Sequence, residues 1–455
     1  MFSLDNLLTS LILLMSFVVV LFYPAENHIE FSTSITFVIN AFIWLALLVY
    51  EGNKRRFSLV YMHLLFCYVF FYVVAFIQYK SDRYPWGRFF ENDVIFCTNI
   101  ILLIWTLFFC LGYGYQCMFG RLKEQRNIGE YNFNKKKATV CLIISLALIA
   151  FRFYDLGFLA VFTRSESNSV GVITGGLAGP IYTLFSFMSI YTVFFTMLYC
   201  WFGYRNGDKF AKRMFIIAIL TLLIGYPPTG IPRFLVAVIY GGFFLIISHS
   251  FKKCFKLIFT SLFLFVFPLL DVFRNGTVDD AIMEMGNVLR NLFSWNYFDI
   301  FYLGHYDAYT ILCDIYNYVS IEGITWGRQL LGVVLFFVPR ALWGDKPTGT
   351  GNFIANQLNY PFDNVSCALP GEVYINFGII GIVFVAYFVG YLLSYIDNFF
   401  WNFYTKDKIH TGVGVIYPCL IFFVFFVSRG DLMSSVAFIV SFVVAYKMIY
   451  IGRSC

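Results

Sequence analysis

The stretch Ser58-Leu-Val-Tyr-Met-His-Leu-Leu-Phe-Cys-Tyr-Val-Phe-Phe-Tyr-Val-Val-Ala-Phe-Ile-Gln78 contains no Asp, Glu, Lys or Arg. An apolar run of about 20 residues, coiled as a helix, matches the hydrocarbon thickness of a bilayer. Runs of this kind recur at roughly 6–23, 32–50, 94–116, 138–153, 177–203, 214–228, 233–250, 255–270, 369–396, 411–428 and 432–450, so about twelve spanning helices are expected. No basic residue precedes the first run and Asp5 is acidic, so it reads as a retained span and not a cleaved signal.

Composition agrees. Of the 455 residues, 60% are hydrophobic, 22% aromatic and only 13% charged. A soluble domain carries about 25% charged residues. This chain cannot clothe a water-facing surface of its size, and its mean hydropathy of +0.74 says the same. A water-soluble enzyme, a disordered chain and a coiled coil are excluded. The fold class is an all-α polytopic membrane protein, because only structures that satisfy every backbone group internally cross lipid. The 11 Cys are scattered and lie mostly in apolar runs, among them Cys67, Cys97, Cys110, Cys141, Cys200 and Cys419. They show neither metal-ligand spacing nor a disulfide framework. No metal or cofactor is expected.

Location gives the charges their meaning. One set of loops holds Lys54 to Arg56, Arg121 to Lys137, Arg205 to Arg213, Lys252 to Lys256, and Lys406 with Lys408. This is the Lys-rich side and reads as cytoplasmic. Both termini then lie inside. The opposite side holds Lys80, Arg83, Arg88, Arg152, Arg164, Arg233, Arg274, Arg290, Arg328, Arg340, Lys346 and Arg429. Arg dominates there. It stays charged and grips phosphate or carboxylate with two parallel donors, so the bias points to an anionic ligand outside. Snorkelling side chains with acidic neighbours are the plainer alternative.

Three units follow. Residues 1–270 carry the first nine spans, 271–368 form a large extracytoplasmic loop, and 369–455 carry the last three spans. Loops of that length tend to be functional. Within it, Thr277-Val-Asp-Asp280 opens an expected amphipathic helix with Ile282, Met285, Leu289 and Leu292 on one face. Leu330 to Val338 is apolar but too short to cross, and Pro339 ends it, as in an interfacial or re-entrant segment. Then comes Arg340-Ala-Leu-Trp-Gly-Asp-Lys346, followed by Thr348-Gly-Thr-Gly-Asn352. The latter lacks the Gly-Lys-Ser/Thr ending of a nucleotide loop. Arg340 and Lys346 beside Trp343 suit a phosphate next to a sugar ring; an interfacial Trp with basic anchors is the other reading.

Charged residues also gather at outer helix ends. Arg233 follows Pro232 in Gly225-Tyr-Pro-Pro-Thr-Gly-Ile-Pro-Arg233, at a helix start where the dipole disfavours a cation unless an anion binds. Arg429 lies in Ser428-Arg-Gly-Asp431, whose Asp431 suits a helix cap. Arg274 lies at the outer end of the ninth span beside Asp271, and Arg290 is a further outer arginine in the loop. Glu372, in Leu369-Pro-Gly-Glu-Val-Tyr374, favours a first helical turn and is also an ionisable group at the membrane edge, which makes it a candidate for chemistry. Asp299 and His305 are rival acid–base candidates.

Several of these segments together resemble the Wzy-type bacterial O-antigen and oligosaccharide repeat-unit polymerases. The resemblance rests on Gly230-Ile-Pro-Arg233, Phe337-Val-Pro-Arg-Ala-Leu-Trp-Gly-Asp-Lys-Pro347, Pro370-Gly-Glu-Val-Tyr-Ile-Asn-Phe-Gly378 with Gly381, and Arg429-Gly-Asp431; Leu156-Gly-Phe-Leu-Ala-Val-Phe162 is also similar. It spans roughly residues 150–435 and is most specific over 337–381. It implies a metal-independent membrane glycosyltransferase of the GT-C class in the bacterial plasma (inner) membrane, serving polysaccharide or lipopolysaccharide biosynthesis. Such an enzyme moves a growing glycan from undecaprenyl pyrophosphate onto the next lipid-linked repeat unit, on the extracytoplasmic face. The partners implied are those lipid-linked oligosaccharides, the bilayer and a chain-length regulator, with no nucleic acid among them.

Residue chemistry runs parallel to this. Cleaving a sugar–pyrophosphate bond concentrates negative charge on the leaving group, which fixed cationic donors stabilise. Arg233, Arg274, Arg290, Arg340, Lys346 and Arg429 are the pyrophosphate candidates, with Trp343 and Tyr374 for the sugar. Glu372 is the first choice for base, ahead of Asp299 and His305. A repeat-unit flippase would have shorter loops. An O-antigen ligase would place a conspicuous His in the large loop, in a context that His305 does not match.

Overall fold

The computed structural model describes residues 4–26, 29–120, 133–162, 179–266, 295–363, 365–404 and 413–450. Among them are helices and turns, and no strand. The first six helices are α1 (Leu4–Leu21), α2 (Phe31–Lys54), α3 (Leu59–Ser81), α4 (Asn92–Phe119), α5 (Lys135–Leu156) and α6 (Gly179–Arg205). Shorter helices follow: α7 (Lys209–Gly225), α8 (Arg233–Ile247) and α9 (His249–Ser261). Next come α10 (Ala308–Glu322), α11 (Arg328–Val334) and α12 (Thr350–Gln357). The chain closes with α13 (Leu369–Tyr404), α14 (Val413–Arg429) and α15 (Leu432–Tyr450).

Eight helices among the described residues, α1 to α6 with α13 and α15, are long and apolar enough to cross a membrane. The chain is a multi-pass helical membrane protein. The other four expected runs also coil, into shorter helices. For α7 the reason is local. The Asp208 carboxylate caps its start, accepting from Phe210 N at 2.7 Å and Ala211 N at 3.1 Å. Pro227 follows its end and cannot continue it. In α8 the backbone relaxes into a π-turn over Ala237–Gly241, and Ser248 turns extended.

Burial sorts the helices. The membrane window of α3 is 100% buried, whereas that of α1 is 17% buried. A helix that is apolar all round belongs at the centre of a bundle, and α3 is that helix. α1 turns Leu4, Leu7, Leu11 and Leu14 outward. Lys80, at the end of α3, folds back to donate to the carbonyls of Val20 (3.3 Å), Leu21 (2.7 Å) and Tyr23 (3.0 Å) at the end of α1. A cation suits a helix C-terminus, so one of the twelve expected outer cations is spent on the fold.

The helix that carries Glu372 is held by small residues. A Cβ at Gly112 of α4 would lie 1.9 Å from the Tyr387 carbonyl oxygen, and one at Gly390 of α13 would lie 2.2 Å from that of Phe109. Only glycine admits such close backbone approach between membrane helices. Beyond this seam, at Gly378, α13 is kinked (φ 60°, ψ −150°).

In the large loop, α10 is a helix the apolar pattern did not reveal. Its first eight residues, Ala308 to Ile315, are all buried, so no wet face marks its period. The short apolar segment at 330–338 forms the seven-residue α11. The expected amphipathic helix from Thr277, with Arg274 and Arg290, lies outside the described residues.

Candidate functional site

Glu372 occupies the first turn of α13 and is 0% exposed. It does not cap its own helix. One carboxylate oxygen, Oε1, accepts from the backbone N–H of Leu432, the first residue of α15, at 2.9 Å. The other, Oε2, accepts the hydroxyl hydrogen of Thr350, the first residue of α12. Both donors start helices, where free N–H groups and the dipole favour negative charge.

Asp431 stands beside it. Its Oδ1 accepts from Met433 N at 2.8 Å and Ser434 N at 3.4 Å, the helix cap expected of it. Its Oδ2 reaches across to Gly351 N at 3.3 Å. Burial raises the Asp431 carboxyl above its ordinary value, and the amides of Met433, Gly351, Ser434 and Thr350 act in the opposite direction. Among the described residues neither carboxylate forms an ion pair. Three segments far apart in sequence therefore meet at one point: the Gly-rich stretch 348–352, the start of α13, and the Arg-Gly-Asp turn.

The candidate cations are held by different routes. Arg429, at the end of α14, donates through Nη2 to the His305 carbonyl oxygen at 3.0 Å and lies 3.8 Å from Asp307 Oδ1. Its Nε is buried and has no hydrogen-bond partner among the described residues. Asp307 is buried and accepts from the Ser366 hydroxyl and backbone N–H. Arg233 starts α8, and the next residue, Phe234, stacks on Phe426 of α14 with ring centroids 3.9 Å apart and planes 7° apart. That contact sets Arg233 at the same end of the bundle as Arg429.

Arg340 is exposed and donates to the Lys346 carbonyl oxygen at 2.9 Å. The Lys346 ammonium is buried and turned into the loop, donating to the carbonyls of Phe336 (2.6 Å) and Val338 (2.9 Å). Burial, then the neighbouring Arg340, push it below its ordinary value. Lys346 thus ties the chain after α11. Trp343 is half-buried, and its carbonyl accepts from Lys346 N at 3.1 Å.

Other candidates stand apart. Tyr374 is two residues beyond Glu372, hence on another face of α13, where it stacks on Tyr316 with centroids 6.3 Å apart. Asp299 is exposed on the turn Trp295–Tyr302, in the electrostatic neighbourhood of Tyr23. His305 meets Arg429 through its backbone. Arg274 and Arg290 lie outside the described residues. Part of the arginine bias has a structural cause: Arg88 binds the buried Asp314 through Nε (3.0 Å) and Nη2 (2.5 Å), Arg83 pairs with Glu26 at 3.1 Å, and Arg328 with Asp345 at 3.4 Å.

Two site residues escaped the sequence reading. Thr350 lay in the Gly-rich stretch, a signal read only as a failed nucleotide loop. Asp307 preceded a helix that was not expected. No family model, curated protein or solved structure matches the chain.

Proposed function

We propose that this protein is a glycosyltransferase that polymerises lipid-linked oligosaccharide repeat units at the extracytoplasmic face of a bacterial plasma membrane, in the manner of the Wzy-type polymerases it resembles. About twelve spans with both termini inside belong to this reading, the four shorter helices crossing where the bilayer thins locally and flanking side chains snorkel. One observation carries it. Two of the segments on which the resemblance rests, those carrying Glu372 and Asp431, come together: Leu432, next to Asp431, donates its amide to Glu372 across 60 residues, and Asp431 accepts from Gly351 across 80.

The chemistry fits that arrangement. An acceptor hydroxyl attacks the anomeric carbon of the sugar borne by undecaprenyl pyrophosphate. The new glycosidic C–O bond forms as the bond from that carbon to the pyrophosphate oxygen breaks. Glu372 takes the hydroxyl proton. The lipid pyrophosphate leaves with the bonding electron pair, and Arg429, Arg340 and Arg233 balance its charge. The donors are pre-set by helix ends and loop carbonyls, so little reorganisation accompanies the reaction.

Deletion of the gene, followed by separation of surface glycan on a gel, tests this. A product capped at one repeat unit supports a polymerase. Complete absence of repeats contradicts it and favours a flippase or an O-antigen ligase.

A further inference from the structure

We infer that Asp431 is a positioning residue for Glu372: it fixes the two helix starts that supply both of Glu372's hydrogen-bond donors. This rests on the polymerase reading for its consequence, and on geometry for its substance. Each donor to Glu372 is one residue from a donor to Asp431. Leu432 N holds Glu372 (2.9 Å) while Met433 N holds Asp431 (2.8 Å). The Thr350 hydroxyl holds Glu372 while Gly351 N holds Asp431 (3.3 Å). The two carboxylates thus run in parallel between the same two helix ends.

The surroundings are built for this clamp. A Cβ at Gly349 would lie 2.0 Å from Asp431 Oδ2 and 2.5 Å from its Cγ, so Asp431 can approach α12 only because residue 349 is glycine. A Cβ at Gly351 would lie 2.2 Å from the Val365 carbonyl oxygen, which presses the start of α12 from another side. α12 has only 8 residues. A helix that short does not hold its own geometry in isolation. The Thr350 hydroxyl is where Glu372 needs it because Asp431 and Val365 pin the turn that carries it.

A simple cap for α15 would need only Oδ1. The bond from Oδ2 to Gly351 distinguishes the two roles, and substitutions can separate them. Asp431→Asn keeps a carbonyl oxygen for Met433 but turns an N–H₂ donor towards Gly351 N. Asp431→Ser keeps a good helix cap and is too short to reach α12. If Asp431 were only a cap, both variants would work normally. For a positioning residue, both variants stay folded and lose turnover. Misplacement by about 1 Å costs about 100-fold in rate.

The experiment uses full-length protein in proteoliposomes, with undecaprenyl-pyrophosphate-linked repeat units isolated from the deletion strain as probe. We expect both variants to show KM within about twofold of the parent and kcat lowered roughly 10- to 100-fold. Gly349→Ala should reproduce the kcat loss. Hydrogen exchange followed by mass spectrometry provides a readout that needs no activity: amides of 350–352 and 432–434 should exchange faster together in Asp431→Asn. Unchanged kcat in both variants, or faster exchange confined to 432–434, overturns the inference. If the parent protein transfers no sugar at all, the polymerase reading fails, and the exchange at 350–352 still decides the clamp.

Discussion

Two carboxylate pairs, one towards each end of α13, are treated in opposite ways. At the Lys54 end, Glu51 and Asp397 are neutralised by Arg55, whose Nη1 lies 2.5 Å from Glu51 Oε1 and 3.4 Å from Asp397 Oδ2. Tyr113 donates to Glu51 at 2.6 Å, Tyr417 to Asp397 at 2.5 Å, and the amides of Leu59 and Val60 to Asp397 at 2.8 and 3.1 Å. Arg55 Nη2 reaches Asn398 Oδ1 at 2.5 Å. Every oxygen has its partner and a cation sits in the middle. At the Arg429 end, roughly 37 Å away along α13, Glu372 and Asp431 have helix starts and one hydroxyl, and no ion pair among the described residues. The nearby cations are instead held by carbonyls or by Asp307.

A buried carboxylate locked by arginine belongs to the structure, because removing one member strands the others in low dielectric. A buried carboxylate held only by dipoles keeps its capacity to accept a proton and is a candidate for chemistry. The two ends of α13 therefore differ in kind: one is a lock and the other is a reserve.

Substitutions can break or sharpen that contrast. The largest effect is expected for Glu372→Gln. It should leave protein in the membrane and lower repeat-unit transfer about 10²- to 10⁴-fold, the range for losing a general base, seen as single-repeat product on a glycan gel. At the lock the loss should be of fold instead. Arg55→Ala strands Glu51 and Asp397 and should cost about 3–5 kcal/mol, read as loss of membrane-embedded protein and a lower Tm in detergent. If Arg55→Ala folds normally and Glu372→Gln unfolds, the contrast is inverted.

A smaller effect is expected of the cations. Arg340→Ala and Arg233→Ala should keep the protein in place and shorten the glycan, with transfer down roughly 10- to 100-fold, below the 10²–10³ typical of an oxyanion donor because several cations share the charge. Full-length ladders from both would remove them from the site.

The smallest concerns acidity. Burial lifts the Asp307 carboxyl above its ordinary value, with Arg429, Ser366 and Trp86 acting against it; the Tyr360 phenol also feels its charge. A raised value means that the fold holds the proton more tightly than the unfolded chain does. That contribution is complete below the unfolded value of about 4 and is lost as pH rises through the higher folded one. Asp307→Asn cannot titrate, so its Tm should fall less between mild acid and neutral pH than the parent's.

Eight of the twelve expected spans are long apolar helices among the described residues, legible because apolarity over a helical length is a local property, and the 58–78 run found its place as the buried α3. Asp431 as a cap was equally local. Glu372 stood out as a charge at the edge of an apolar run. Its partners were invisible: Thr350 and Leu432 are brought to it by tertiary approach. The Arg55–Asp397 lock joins residues 342 apart, and nothing near either announces the other. α10 was missed because burial on all sides removes the wet–dry rhythm that marks a surface helix. Of the arginines expected on the outer side, Arg88, Arg83 and Arg328 have acidic partners, the plainer alternative that the sequence offered.

The central claim is that Glu372 is held for chemistry and not for stability. The most direct measurement is a paired one on purified Glu372→Gln in proteoliposomes: Tm, and transfer between lipid-linked repeat units. The account predicts a Tm within a few degrees of the parent's and transfer reduced at least 100-fold, in line with the loss of a general base. Parental transfer rates, or collapse of the fold with the charge gone, would contradict it.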